Sequence, residues 1–188
     1  PLGESLAFRK VFFDSETRKA LDQHHSSKIR QVLIIAPGYD TLSYRLSASY
    51  PDVQFWEIDH PATGNLRKRG FQALGGMPSN INLLMVDLAE SSLSDVLSSQ
   101  KGFDVSAPTV VLIEGLLYYL SEAQAKNLFH RLAQSVGPGS VALFDFFTWD
   151  EELNCPDVGW KLNSKWIARV KKAGEPMLWG IDPTKLSD

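Results

Sequence analysis

Residues Gln31 to Leu46 read QVLIIAPGYDTLSYRL. The apolar run Gln31 to Ala36 meets a Pro37-Gly38 break, and a helix-compatible stretch, Thr41 to Ser49, follows Asp40. A short run apolar throughout and bounded by turn residues is the pattern of a strand covered on both faces. Asp40 stands where a helix N-cap belongs, because its carboxylate can accept from the free N–H groups of the first turn. Strand, tight loop and helix form the first half of a parallel β-α-β unit.

The same alternation continues along the chain. Further strand-length runs are Val53 to Ile58 (VQFWEI), Asn82 to Val86 (NLLMV), Thr109 to Ile113 (TVVLI) and Ser140 to Phe147 (SVALFDFF). Between them, Pro61 opens a helix towards Leu74, against the drag of Gly64 and Gly70, and Leu93, Val96 and Leu97 mark a short one. Ser121 to Val136 is the clearest helix, with Ala125, Leu128, Phe129, Leu132, Ala133 and Val136 on one face. Ser121 and Gln124 make a capping box, and Gly137-Pro138 stops it. Five strands alternating with helices predict an α/β fold with a doubly wound parallel sheet.

Composition sets the outer limits. The chain has 188 residues, 44% hydrophobic and 22% charged, which suits one ordinary domain. The expected division is a helical lead-in over 1–30, a ligand-binding core over 31–148, and a substrate-side lid segment over 149–188 within a single domain. A net charge of −3 disfavours nucleic acid as partner. Cys155 is the single cysteine, so no internal disulfide forms and a reducing, cytoplasmic setting is expected. Thr109 to Leu120 is too short to span a bilayer and contains Glu114, so no membrane partner is expected.

Phe8, Phe12 and Phe13 are expected to anchor the lead-in helix. Trp149, Trp160, Trp166 and Trp179 cluster after the last run, beside a basic stretch, Lys161 to Lys172, read as a solvated helix face with Trp160 and Trp166 packing it down.

Ligands of open α/β sheets bind beyond the carboxyl ends of the strands. Four successive strands here run into Gly38 and Asp40, Asp59, Asp87, and Glu114. A dinucleotide loop needs G-x-G-x-x-G so that backbone can approach a pyrophosphate at a helix N-terminus. This loop has only Gly38, and Asp40 would repel a pyrophosphate. A cationic ligand without phosphate fits better, and S-adenosyl-L-methionine (SAM), with its sulfonium and ammonium groups, is one. Asp59 lies 21 residues after Gly38, near the spacing of an acid that holds ribose hydroxyls. Glu57 is its competitor and is read as facing the other side of the strand. Glu114 interrupts an apolar run, where an unpartnered buried carboxylate is costly, which points to a ligand role.

No metal site is expected. His24 and His25 lack partners at ligand spacing, His130 falls on the polar face of its helix, and Cys155 has no base near it in sequence. His60 is read mainly as helix-start polarity. One of Tyr118 and Tyr119 is expected in the core.

These segments together resemble the leucine carboxyl methyltransferase family and its bacterial SAM-dependent O-methyltransferase members. The resemblance rests on QVLIIAPGYDTLSYRL, on FWEIDHP (Phe55 to Pro61), on VDL (Val86 to Leu88) and on PTVVLIEGLLYYLSEAQ (Pro108 to Gln124), in that order. It implies a Rossmann-like SAM-dependent methyltransferase fold with sheet order 3-2-1-4-5, here lacking the last two strands or having them displaced. It implies SAM as cofactor, Gly38 against the methionine part, Asp59 on the ribose, Asp87 and the backbone of Leu88 at the adenine edge, and Glu114 near the SAM amino group or at the pocket floor. Arg9 is the counterpart of the family's arginine for the SAM carboxylate, with Arg18 second. The expected reaction is methyl transfer to an oxygen, on a small molecule or a protein C-terminal carboxylate. Two departures stand out: Ala36-Pro37-Gly38 replaces the family's Gly-Ala-Gly, and the chain stops short of two further strands. An unpaired sheet edge would permit oligomers. The alternative reading is a non-catalytic, methyltransferase-like interaction module.

Overall fold

The computed structural model describes residues 2–23, 29–150, 155–157, 163–172, 174 and 176–181. His24, His25 and Trp160 lie outside them. Five strands form one sheet in the order β3-β2-β1-β4-β5: β1 Gln31–Ile35, β2 Gln54–Asp59, β3 Ile81–Met85, β4 Thr109–Ile113 and β5 Val141–Phe144. The register of β1 with β2 and β4, and of β2 with β3, is parallel throughout. The expected order is therefore present, and every predicted run holds a strand.

The buried character of β1 and β4 follows from position. Both are interior strands, and all five residues of each are buried. Val32, Ile34, Val110 and Leu112 join Phe55, Leu42, Leu46, Phe71 and Phe13 in one apolar cluster. The one polar residue of β1 is satisfied in place. Gln31 Nε2 donates to the Asp104 carbonyl at 2.9 Å, and Gln31 Oε1 accepts from Asp104 N at 2.7 Å.

The helices are α1 Leu2–Gln23, α2 Leu42–Ser47, α3 Pro61–Ala73, α4 Leu93–Ser98, α5 Glu122–Ala133 and α6 Asn163–Lys172. Gly64 does not interrupt α3. A Cβ there would lie 2.6 Å from Met85 Cγ, so the missing side chain lets α3 approach β3. The capping box of α5 forms reciprocally: Ser121 N donates to Gln124 Oε1 at 2.8 Å, and Gln124 N to Ser121 Oγ at 3.3 Å.

The chain resolves into two compact units, residues 1–113 with 131–143, and residues 114–130 with 144–188. The second holds a two-stranded antiparallel ribbon, β6 Thr148–Asp150 and β7 Cys155–Asp157, outside the main sheet. Within that unit Tyr118 is buried at 7% exposure, 4.8 Å from the ring of Phe147, and Tyr119 is half-buried. One tyrosine is thus core, as expected. The described side chains of α6 include Arg169, Lys171 and Lys172, all exposed, as a solvated face requires. The side chain of Trp166 lies outside the description.

The lead-in helix departs from expectation. Phe13 is buried at 1%, but Phe8 and Phe12 are 73% and 41% exposed. One face of α1 reaches the core, and Phe8 and Phe12 lie off it. Polar contacts also hold α1: Asp14 accepts from Arg18 Nε at 2.6 Å and pairs with Arg45 of α2, and Lys10 pairs with Asp40.

Burial pushes the Asp14 carboxyl up, but hydrogen bonds and charge from Arg18 and Arg45 outweigh it, and its pKa lies below the ordinary 3.8. A depressed carboxylate contributes stability that is present above its unfolded pKa and lost as pH falls through the folded one. Asp14→Asn should therefore lower stability at pH 7 by about 0.5–1 kcal/mol. It should also flatten the loss of stability below about pH 4, measured by urea unfolding across pH.

Candidate active site

At the carboxyl edge of the first unit three loops come together. The first follows β1. Ala36 has φ +51 and Gly38 φ +56, so both lie in the left-handed region. For Gly38 this costs nothing, but for Ala36 it costs about 1–2 kcal/mol, because Cβ crowds the next carbonyl. The departure from a glycine at position 36 is thus a strained residue in the loop itself.

Side chains hold this loop. Gly38 N donates to Asp59 Oδ2 at 2.8 Å, while Asp59 Oδ1 accepts from His60 N at 2.8 Å. Asp59 is 6% exposed, so its charge sits at the sheet edge with two backbone donors. Each of its oxygens keeps a lone pair for a further donor. Asp40 caps the helix, but from one residue earlier than expected. α2 begins at Leu42 with Thr41 in the N-cap place, and Asp40 Oδ1 accepts from Leu42 N at 2.5 Å. The other oxygen of Asp40 pairs with Lys10, so cap and ion pair share one carboxylate.

Glu57 does not face away from Asp59. Residues two apart on a strand point the same way, and Glu57 is fully buried on that face. Arg67 of α3 removes it from competition. Its Nε and one terminal nitrogen pair with the two Glu57 oxygens, and Ser43 Oγ donates to Glu57 as well. The other terminal nitrogen of Arg67 donates to the carbonyls of Gly38, at 3.1 Å, and Asp40. Its guanidinium stacks 5.1 Å from the Phe71 ring centre.

The loop after β2 starts α3. His60 is the N-cap, and its Nδ1 accepts from Ala62 N at 3.2 Å. The neutral ring then carries its proton on Nε2, which lies 3.7 Å from Asp87 Oδ2. The loop after β3 turns on Asp87, whose Oδ1 accepts from Ala89 N at 2.8 Å. Arg131, at the end of α5, donates to the carbonyls of Leu88, at 3.2 Å, and Ser91.

Gly38, Asp40, Asp59, Asp87 and Leu88 therefore occupy adjacent loops on one edge. Arg9 is half-buried on α1, next to Lys10, which reaches Asp40. Arg18 is committed to Asp14 and lies 6.0 Å from the Tyr50 ring centre. Glu114 directly follows β4 and belongs to the second unit. It is half-buried and engaged in interactions of its own, so the argument from an unpartnered buried carboxylate does not hold for it. Beside it, Gly115 N donates to Asp145 Oδ1 at 2.6 Å.

Sequence reading missed Arg67 and Arg131. The signal available for Arg67 was a cation eight residues after Asp59, on a helix that must pack over a strand carrying Glu57. No helix of the described residues is long and apolar enough to cross a membrane. No cluster of three or more His, Cys, Asp or Glu side chains suited to a metal occurs among them.

Comparison with known proteins places this edge in context. Residues 1–133 match the model of a family described as leucine carboxyl methyltransferase. A candidate S-adenosyl-L-methionine-dependent methyltransferase of Mycobacteroides abscessus is 33% identical over 136 residues, 70% of this chain and 42% of the relative. The chain spans less than half the length of such curated relatives. A candidate methyltransferase structure from Thermobifida fusca superposes with a TM-score of 0.69 at 17% identity, covering 97% of this chain and 65% of that one. An O-methyltransferase family protein from Burkholderia thailandensis gives a TM-score of 0.57 at 18% identity, over 80% of this chain and 42% of that one. The two structures establish the Rossmann-like methyltransferase fold.

Proposed function

We propose that this chain, which belongs to the leucine carboxyl methyltransferase family, transfers a methyl group from SAM to an oxygen acceptor. The observation that carries the reading is the buried carboxylate of Asp59, fixed by Gly38 N and His60 N at the end of β2. Its remaining lone pairs can accept from both ribose hydroxyls. Gly38 and its loop suit the methionine end, and Arg9 is the candidate for the SAM carboxylate. Asp87 and the backbone of Leu88, held by Arg131, suit the adenine edge. No phosphate is involved; the acids at this edge suit the sulfonium and ammonium of the ligand, and its one carboxylate is left to Arg9. SAM supplies an electrophilic methyl on a sulfonium. The chain's part is to hold donor and acceptor in line, and this positioning supplies most of the rate.

An acceptor that is already ionised fits best. A carboxylate needs no base, and His60 Nδ1 already accepts from Ala62 N. A small-molecule carboxylate is the favoured acceptor class, with a protein C-terminal carboxylate second. The test is methyl transfer from SAM labelled in its methyl group to panels of carboxylic acids and phenols. Label released as methanol by mild alkali identifies a methyl ester. Alkali-stable label identifies an ether and overturns the carboxylate assignment. The non-catalytic alternative draws on the strained Ala36 and on the two ribbon strands lying outside the main sheet. It predicts cofactor binding with no labelled product from either panel.

A further inference from the structure

We propose that Arg67 is a positioning residue that sets the conformation of the Ala36–Asp40 loop for ligand binding. The inference rests on the SAM-site reading above. The loop has little backbone bonding of its own. Pro37 has no N–H, Asp40 N donates to the Pro37 carbonyl at 2.9 Å, and Ala36 N belongs to the sheet through the Ile58 carbonyl at 2.8 Å. Ala36 and Gly38 both sit at positive φ, so the loop geometry must be imposed from outside.

Two groups impose it. Asp59 takes the Gly38 N–H, and Arg67 donates to the Gly38 and Asp40 carbonyls on either side of Tyr39. Arg67 can do this only because it is itself immobile. Its side chain is 6% exposed, and Glu57, fully buried, grips its other face through two oxygens. The planar fork is essential. Its five N–H groups reach a carboxylate on one side and carbonyls on the other, which the single ammonium of lysine cannot do. Glu57 and Arg67 thus make a relay from strand to helix to loop, and Asp59 holds the same loop directly from the end of β2. Buried as it is, Arg67 acts through the backbone of Gly38 and Asp40.

The test compares the wild-type chain with Arg67→Lys, which keeps the charge against Glu57 but loses the fork. Two readouts are followed: amide hydrogen exchange, and the affinity for S-adenosylhomocysteine (SAH) by calorimetry. The expected result is exchange at Gly38 and Asp40 at least about tenfold faster, with Leu33 and Ile34 of β1 unchanged. SAH affinity should fall by at least about tenfold, the effect of one lost hydrogen bond to a charged group. Uniform acceleration across β1, β2 and α3, or unchanged loop exchange, would overturn the proposal. Unchanged SAH affinity in a variant whose loop has loosened overturns it as well. If the wild-type chain binds no SAH, the SAM-site reading fails, and the exchange comparison still decides the role of Arg67. If Arg67→Lys does not fold, Glu57→Leu with Arg67→Leu removes both charges together. Loop exchange in that variant must still rise for the proposal to stand.

Discussion

Asp59→Ala abolishes measurable binding of SAM and SAH, with a loss of affinity of about 100-fold or more. Two effects combine. The first is loss of the acceptor for the ribose hydroxyls. Hydrogen bonds to a charged group contribute about 1.5–3 kcal/mol each, and 1.4 kcal/mol is a factor of ten, so two such bonds alone account for about 100-fold. The second is loss of the partner of Gly38 N and His60 N, which frees the first loop and the start of α3. Asp59→Asn keeps the shape but leaves one acceptor oxygen for two backbone donors and the ligand, so it should fall between. Calorimetric titration of the folded variants checks this. An Asp59→Ala chain that binds SAH as tightly as the wild type would remove Asp59 from the site.

The second large effect falls on stability. Arg67→Met should destabilise the chain by about 3–5 kcal/mol, because it leaves the Glu57 carboxylate buried at the centre of the first unit without its cation. Ser43 Oγ remains as a donor to Glu57, but one neutral hydroxyl does not compensate a buried charge. The double variant Glu57→Leu with Arg67→Met should lose much less, because a buried ion pair replaced as a whole by apolar groups is often close to neutral. Urea unfolding of the wild type, of Arg67→Met and Glu57→Leu singly, and of the double variant gives the coupling directly. Equal destabilisation by the single and double changes would show that Arg67 matters through packing on Phe71 rather than through Glu57.

The sheet was legible because its signal is local. Gln31–Ile35 and Thr109–Ile113 are apolar throughout because both faces of an interior parallel strand are covered, and no distant partner is needed to recognise that. The acids after the strands were legible for the same reason, since a strand end fixes where the next residue stands. The buried network was not. Arg67 meets Glu57 ten residues away and Gly38 twenty-nine away, and Arg131 meets Leu88 forty-three away, so these pairings exist only once α3 and α5 are laid on the sheet. Glu57 was misjudged against the period of a strand, which puts it on the same face as Asp59. Phe8 and Phe12 were misjudged because an apolar side chain on a helix reads as an anchor until the buried face is known, and here that face carries Phe13. Ala36 shows the reverse case. Its absent glycine was plain in the sequence, but the positive φ that makes the absence costly was not.

The central claim is that the edge built from Gly38, Asp59 and Asp87 binds the adenosyl cofactor. Calorimetric titration of the wild-type chain with SAH tests it most directly. The account predicts saturable binding at one site per chain, in the micromolar range or tighter. A folded chain that gives no binding heat with SAH, and no shift of its thermal midpoint at millimolar ligand, would contradict it.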